Sequence, residues 1–339
     1  MLKIGALTIS SRCILAPMAG VSDLPTRMVN RSLGCEFAFV EMINACALAY
    51  LNRKTKKMLL TVPEDRPLGI QLFGNNPESL QRAMDVLLTT YEFNLIDFNA
   101  ACPVSKVTKR GEGASLLKEP RRLRELLKVL VKSSPVPVTV KIRSGWDETS
   151  RNAREVSLHA QEAGIQGLFI HGRTRSQGYS GSVDYRVISE VKEALEIPVI
   201  ASGDTFSPQL VKRMFDETGC DGVAIARGSL GNPWIFRESE QFLRSGILPE
   251  RPDFDEITST MITHLDLCVD FHGEAIGTMV FRKYFFWYTK GMYGIKPLRD
   301  EACRAKTKDH IMDLIHKLRV ARERKVVYTN TQSGEGIDL

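Results

Sequence analysis

The sequence predicts a (β/α)8 TIM barrel followed by a small all-helical C-terminal domain. Three observations predict it. From about residue 12 to about residue 240, short Val/Ile/Leu/Phe runs that are apolar on both faces alternate with longer stretches of helical spacing. Eight such units occupy that length, as a closed parallel barrel requires. Polar side chains capable of chemistry fall repeatedly where an apolar run ends, and a parallel barrel carries its active site on that rim.

The predicted strands lie near 12–17, 37–42, 67–72, 94–99, 136–142, 166–171, 197–202 and 221–226, with Pro67, Pro137 and Pro198 marking the starts of three of them. Helical stretches lie between, including 77–91, 120–133, 152–163, 184–195 and 207–217. Pro77, Pro120 and Pro208 stand at or near first turns, where the missing N–H is not needed. Residues 1–243 therefore form the catalytic barrel. Gly246, Pro249 and Pro252 mark 244–254 as a linker. Beyond it the strand pattern stops, and 255–325 reads as a helical domain with turns at Gly273, Gly291 to Gly294 and Pro297. The polar tail 326–339 is expected to be disordered.

Bulk properties narrow the class. The chain has 339 residues, 43% hydrophobic, with a net charge of +6 that permits an anionic partner without requiring one. Its seven cysteines are scattered, with no Cys-x-x-Cys pair, which argues against a disulfide framework, a zinc site or an iron–sulfur cluster. No metal is expected, nor an obligate protein partner. The opening residues run into polar Thr8, Ser10, Ser11 and Arg12 instead of an apolar signal region, and no run approaches the roughly 18 apolar residues of a membrane span. A cytoplasmic enzyme is expected.

Seven rim segments carry the candidate chemistry. Pro17, Met18 and Ala19 follow the first strand, and Gln71 closes the third. Asn99 ends the fourth and Cys102 follows three residues later, stiffened by Pro103. Cysteine is most often a small buried apolar residue, the reading adopted for the other six, but Cys102 stands on the rim. Lys141 ends a buried strand, where desolvation demands an anion; a salt bridge, a solvent-reaching lysine and a Schiff-base lysine all fit. His171 ends another strand, and beside Lys141, Arg173 and Arg175 it reads as a cation. Ser202-Gly203-Asp204 and Ala226-Arg227-Gly228 follow strands seven and eight, the loops that commonly hold phosphate in barrels, and their glycines would let the main chain approach a ligand. No Gly-x-Gly-x-x-Gly follows a strand, so a phosphorylated cofactor smaller than a dinucleotide fits better than NAD on a Rossmann turn.

The region 280–325 carries thirteen lysines and arginines against five acids, interleaved with Phe281, Tyr284, Phe285, Phe286, Trp287, Tyr288 and Tyr293. It is either a solvated face over an aromatic core or a platform for a phosphate backbone.

Assembled, these segments resemble the tRNA-dihydrouridine synthase family, with the bacterial B-type branch the closest resemblance. The stretches are Ala16 to Asp23, Gln71-Leu72-Phe73-Gly74, Asn99-Ala100-Ala101-Cys102-Pro103, Val140 to Trp146, His171 to Arg175, Ser202-Gly203-Asp204 and Asn232 to Phe236. Two positions depart from the family pattern: Ala101 replaces the usual glycine before the cysteine, and Ser202 the usual asparagine. The resemblance implies FMN contacted by Pro17, Met18, Ala19, Gln71, Lys141 and His171. It puts the FMN phosphate against Ser202, Gly203, Asp204, Ala226, Arg227 and Gly228. It implies NADPH (or NADH) as reductant and tRNA as substrate, with hydride delivered to uracil C6 and a proton from Cys102 to C5. Asn99, Arg173 and Arg175 would meet the substrate, and the basic helical domain would hold the tRNA body. Three competitors remain: an FMN barrel acting on a free pyrimidine, a Schiff-base aldolase using Lys141, and a tRNA-binding chaperone on a dead barrel.

Overall fold

The computed structural model describes the backbone of residues 1–332 and the side chains of residues 1–320. A short antiparallel hairpin, β1 (Leu2–Ile4) and β2 (Leu7–Ile9), opens the chain. The barrel comes next: β3 (Cys13–Leu15), an interrupted second strand made of β4 (Ala38–Phe39) and β5 (Ile43–Asn44), then β6 (Leu68–Phe73), β7 (Leu95–Asn99), β8 (Val138–Arg143), β9 (Gly167–His171), β10 (Val199–Ser202) and β11 (Gly222–Ile225). Every neighbouring pair in the barrel is parallel, and β4 pairs with both β3 and β6, which closes the ring. The expected strands are all present. The hairpin was not foreseen, and its role is to fill the barrel floor. Leu2, Ile4 and Ile9 are buried in one cluster with Ile14, Phe37, Phe39, Leu95, Phe169, Ile200 and Ala224. Gly69 leaves room there, since a Cβ on it would lie 2.4 Å from the Phe39 ring.

The helices pack outside the sheet: α1 (Leu24–Ser32), α2 (Ala45–Ala49), α3 (Arg53–Met58), α4 (Pro77–Thr90), α5 (Ser105–Thr108), α6 (Pro120–Ser133), α7 (Ala153–Glu162), α8 (Tyr185–Ala194), α9 (Pro208–Thr218) and α10 (Ile235–Ser245). Asn76 and Ser207 cap α4 and α9 with side-chain oxygens, each followed by proline in the first turn. Their apolar faces meet the outward residues of the strands in the main core, among them Leu80, Leu127, Ile142, Val191 and Met214.

The chain divides into two compact units, Met1–Ser229 with Trp234–Pro249, and Leu230–Pro233 with the chain from Glu250 onward. Helix α10 runs into the expected linker and stops at Gly246, which takes the left-handed cap that glycine favours. The second unit is helical: α11 (Phe254–His272), α12 (Glu274–Tyr288), α13 (Lys296–Ala302) and α14 (Lys308–Gln332). On α12, a Cβ at Gly277 would lie 2.4 Å from the Cys268 carbonyl, so glycine permits the close crossing with α11. Phe281, Tyr284, Phe285 and Tyr288 are buried, so these aromatics form the core of this unit; Tyr293 is exposed. Helix α14 continues past residue 325, and 333–339, the rest of the expected disordered tail, lie outside the described residues.

Candidate active site

Side chains on a strand alternate between faces, so residues two apart on each strand point into the barrel together. Above the apolar floor this rule builds polar layers. Gln71, Asp97 and Thr139 are in register across β6, β7 and β8, and Asn99 and Lys141 face each other one pleat higher. Ser202 pairs with His171, which also pairs with Arg143.

The first layers form a chain of hydrogen bonds. Thr139 Oγ1 donates to Asp97 Oδ1 at 2.7 Å, and Gln71 Nε2 donates to Asp97 Oδ2 at 2.7 Å. Asn99 Nδ2 donates to Gln71 Oε1 at 2.8 Å, while Asn99 Oδ1 accepts the backbone N–H groups of Ala101 at 3.0 Å and Cys102 at 2.8 Å. The sequence reading gave Asn99 to the substrate; its carbonyl oxygen is used to hold the Cys102 loop. Arg143 grips the same loop from the other side, donating to the Ala101 carbonyl at 2.8 Å and to the Thr174 and Gly178 carbonyls at 2.9 Å each. Gly113 backs it, with φ +60° and a virtual Cβ 2.9 Å from the Cys102 carbonyl oxygen. Ala101 lies outside the positive-φ region, so alanine enters the loop without backbone strain. Burial raises the Cys102 thiol above its ordinary pKa, against smaller opposing effects from the Val104 N–H and Arg143. The thiol is kept protonated, unlike a nucleophilic cysteine, whose pKa is lowered.

The facing layers are cationic. Lys141 Nζ donates to Ser202 Oγ at 3.0 Å, and the Ser202 hydroxyl donates in turn to the Ile170 carbonyl at 3.0 Å, so a hydroxyl suffices where the family pattern has an amide. Burial pulls Lys141 down to about 8 despite the nearby Asp97. Burial likewise lowers Arg143 to about 10. Asp204, at φ +52°, receives Arg173 at 2.5 Å and Arg227 at 3.2 Å. Arg173 is fully buried and also donates to the Ser180 and Gly181 carbonyls. His171, expected from the sequence to be a cation, is not one. Burial, then Arg143, Lys141, Arg173 and Arg227, hold it well below its ordinary pKa, so the imidazole is neutral.

The two glycines expected to admit a ligand are crowded by protein where a Cβ would stand, so no larger residue fits at either. A Cβ on Gly228 would lie 1.9 Å from the Thr205 carbonyl oxygen, and one on Gly203 would lie 2.6 Å from Val183. Pro17, Met18 and Ala19 form a turn tied by Ser22, whose hydroxyl accepts from Met18 N at 3.0 Å; buried Arg27 holds the Ser22 carbonyl at 2.8 Å. Arg175 stacks on Trp146, its guanidinium 4.4 Å from the ring centre. Ala226 precedes the short 3-10 turn Arg227–Ser229.

Asp97, Thr139, Arg143, Gly113 and Tyr179 were not singled out from sequence. For the first three a signal existed, because each lies two residues from a chosen one on the same strand. Tyr179 is exposed at the mouth, with Arg227 4.5 Å and Arg143 5.7 Å from its ring centre.

The mouth fits a phosphorylated, anionic flavin. Lys141, Arg143, Arg173 and Arg227 bring four cationic groups to the mouth against the two carboxylates Asp97 and Asp204. Among the described residues no cluster of three or more His, Cys, Asp or Glu side chains could hold a metal ion, and no helix is long and apolar enough to cross a membrane.

The chain is similar to known proteins along most of its length. The family profile described as dihydrouridine synthase matches residues 14–323. The chain is 38% identical to tRNA-dihydrouridine synthase B of Pseudomonas aeruginosa over 312 residues, covering 91% of this chain and 92% of that protein. It is 37% identical over 315 residues to a protein of Synechocystis named probable tRNA-dihydrouridine synthase 1, covering 93% and 88%. Among solved structures, histamine dehydrogenase from Rhizobium sp. 4-9 shares the fold at a TM-score of 0.55 and 15% identity, over 78% of this chain and 50% of that one. The chain belongs to the dihydrouridine synthase family, in its bacterial B-type branch.

Proposed function

We propose that this protein reduces the C5–C6 double bond of uridines in tRNA, with Cys102 as the proton donor. The observation that carries the reading is a thiol held protonated by burial, in a loop fixed from opposite sides by Asn99 and Arg143, at the mouth of a cationic barrel. FMN, when bound, supplies the hydride that goes to uracil C6. Lys141, His171 and Gln71 would hold its ring system. Ser202-Gly203-Asp204 and Ala226-Arg227-Gly228 would hold its phosphate, with Arg227 as the charged group. Neutral His171 offers one ring nitrogen as donor and the other as acceptor, according to tautomer. Cys102 gives its proton to C5, and a protonated thiol is the form that this step needs. NADPH is the proposed reductant.

Two basic segments of the barrel unit support tRNA as the substrate. Helix α3 presents exposed Arg53, Lys54, Lys56 and Lys57, and the segment after Cys102 presents exposed Lys106, Lys109 and Arg110. In the helical unit Lys290, Lys296, Arg304, Lys306 and Lys317 are exposed over the aromatic core. Such cations neutralise phosphates. A uracil within folded tRNA must be turned out of its stack to reach the mouth.

The test is spectral and then kinetic. The purified protein should show a flavin absorption spectrum that NADPH bleaches without oxygen, and should then form dihydrouridine in tRNA but not from free uracil or uridine. Cys102→Ala should lower turnover by about 100-fold or more with the flavin spectrum retained. A colourless protein that takes up no FMN, or a C102A variant as active as the wild type, would sink the reading.

A further inference from the structure

We propose that Asp97 is a positioning residue, which orients the amides of Gln71 and Asn99 and thereby holds the Cys102 loop. The loop sets the direction of every bond below it. The backbone N–H groups of Ala101 and Cys102 can only donate, so Asn99 must turn its oxygen to them, as it does at 3.0 and 2.8 Å. Its NH2 group then faces Gln71, which must answer with its oxygen, at 2.8 Å. That leaves the Gln71 NH2 group pointing into the barrel, where it needs an acceptor. Asp97 supplies one at 2.7 Å and spends its other oxygen on Thr139. The polarity of the chain is therefore fixed at both ends, by main-chain donors at the rim and a carboxylate in the core. Gln71, Asp97 and Asn99 are all buried, so water cannot substitute for a missing partner. Burial also raises Asp97 to about 6, which Gln71, Thr139 and Lys141 partly oppose.

The arrangement predicts a compensation. In Asn99→Asp the new carboxylate still accepts the two loop N–H groups, but its other oxygen now requires a donor from Gln71. Turning the Gln71 amide satisfies that need and sets its oxygen against Asp97, two acceptors face to face. Adding Asp97→Asn removes the conflict: the new amide donates to Gln71 and accepts from Thr139, so the two hydrogen bonds of Gln71 reverse while the loop N–H groups and Thr139 donate as before. Cys102 is buried, so its alkylation reports how readily the loop opens, without any substrate; it is read site by site by peptide mass spectrometry because Cys46 and Cys303, expected from the sequence to be buried, are exposed.

We expect N99D to change the Cys102 alkylation rate by about tenfold and to lower the thermal midpoint, with partial recovery as the pH falls and a proton supplies the missing donor. N99D/D97N should return both quantities toward wild type and bring the pH dependence back to that of a single buried carboxylate. A double variant no better than N99D in either readout overturns the proposal. If N99D does not fold, folding of the double variant is the same rescue. If neither folds, Gln71→Glu decides. It needs a proton shared with Asp97, so its thermal midpoint should fall with rising pH near neutrality and D97N should abolish that fall; an unchanged pH profile in Q71E overturns the relay. The consequence for turnover rests on Cys102 as the proton donor to tRNA. Rescue of alkylation in a protein with no tRNA activity would overturn that reading and leave the relay standing.

Discussion

The two sides of the barrel mouth are built from opposite materials. On one side, the Cys102 loop hangs from neutral amides that end at a single buried carboxylate, and only Arg143 brings a charge to it. On the other, Lys141, Arg173 and Arg227 converge on a serine and an aspartate, and the imidazole among them is held neutral. The difference reflects the charge each side handles. A proton donor needs surroundings that do not stabilise its anion, since a thiolate has nothing to give. A phosphate site needs fixed positive charge placed before the ligand arrives. Separating the two within one mouth lets burial raise a thiol while cations gather on the facing strands.

The cationic side should break first and most strongly. Lys141→Met should weaken FMN binding about 10- to 100-fold, read by flavin fluorescence titration, because a charge-assisted donor is lost in a buried place. The wild type should show a pH limb that the variant lacks. Lys141 is depressed to about 8, so its charge, and with it flavin affinity, is present below that pH and declines as pH rises through it. Affinity that is flat across this range in wild type and unchanged in the variant would mean that Lys141 is not the group holding the flavin.

On the thiol side a smaller change should separate turnover from binding. Gly113→Ala puts a methyl group 2.9 Å from the Cys102 carbonyl oxygen at a φ of +60°, so the loop must shift. We expect about tenfold loss of turnover, of the size that misplacing a catalytic group produces, with FMN affinity within about twofold of wild type. Equal losses in both would show that the two sides are mechanically one.

The smallest effect concerns stability. Asp97 has its pKa raised from 3.8 to about 6 in the fold, so the folded state holds the proton more tightly than the unfolded chain. Its contribution to stability is full below pH about 4, falls as pH rises toward about 6, and is level above that. Denaturant titrations of wild type and Asp97→Asn should therefore give a stability difference that moves in wild type's disfavour across this window. A difference independent of pH would show that Asp97 does not titrate there.

Much of this was legible along the chain. Val138-Thr139-Val140 and Leu168-Phe169-Ile170 announce buried strands by composition, and a parallel barrel then sets the residues at their carboxyl ends on one rim. Cys102 stood out for that reason. Less was legible wherever a property is a sum over distant residues. His171 looked cationic beside Arg173 and Arg175, yet its charge depends on burial and on Arg143, Lys141 and Arg227 from other segments as well as on Arg173. Gly228 stood out only for its place after the eighth strand, whereas what demands glycine there, the Thr205 carbonyl, comes from another segment.

By itself, then, the sequence determined the alternation of buried strands and helices, the strand-end positions of Asn99 and His171, and membership of a family. Those are local: hydrophobic periodicity and short motifs are written in consecutive residues. Only the tertiary structure decided that Asp97 ends a chain of amides, that Arg143 and Gly113 hold the Cys102 loop, and that the opening hairpin closes the barrel floor. The physical reason is register. Parallel strands bring residues 71, 97 and 139 to one level, and the direction of a hydrogen bond, like the charge of a histidine, is set by whichever partners that register supplies.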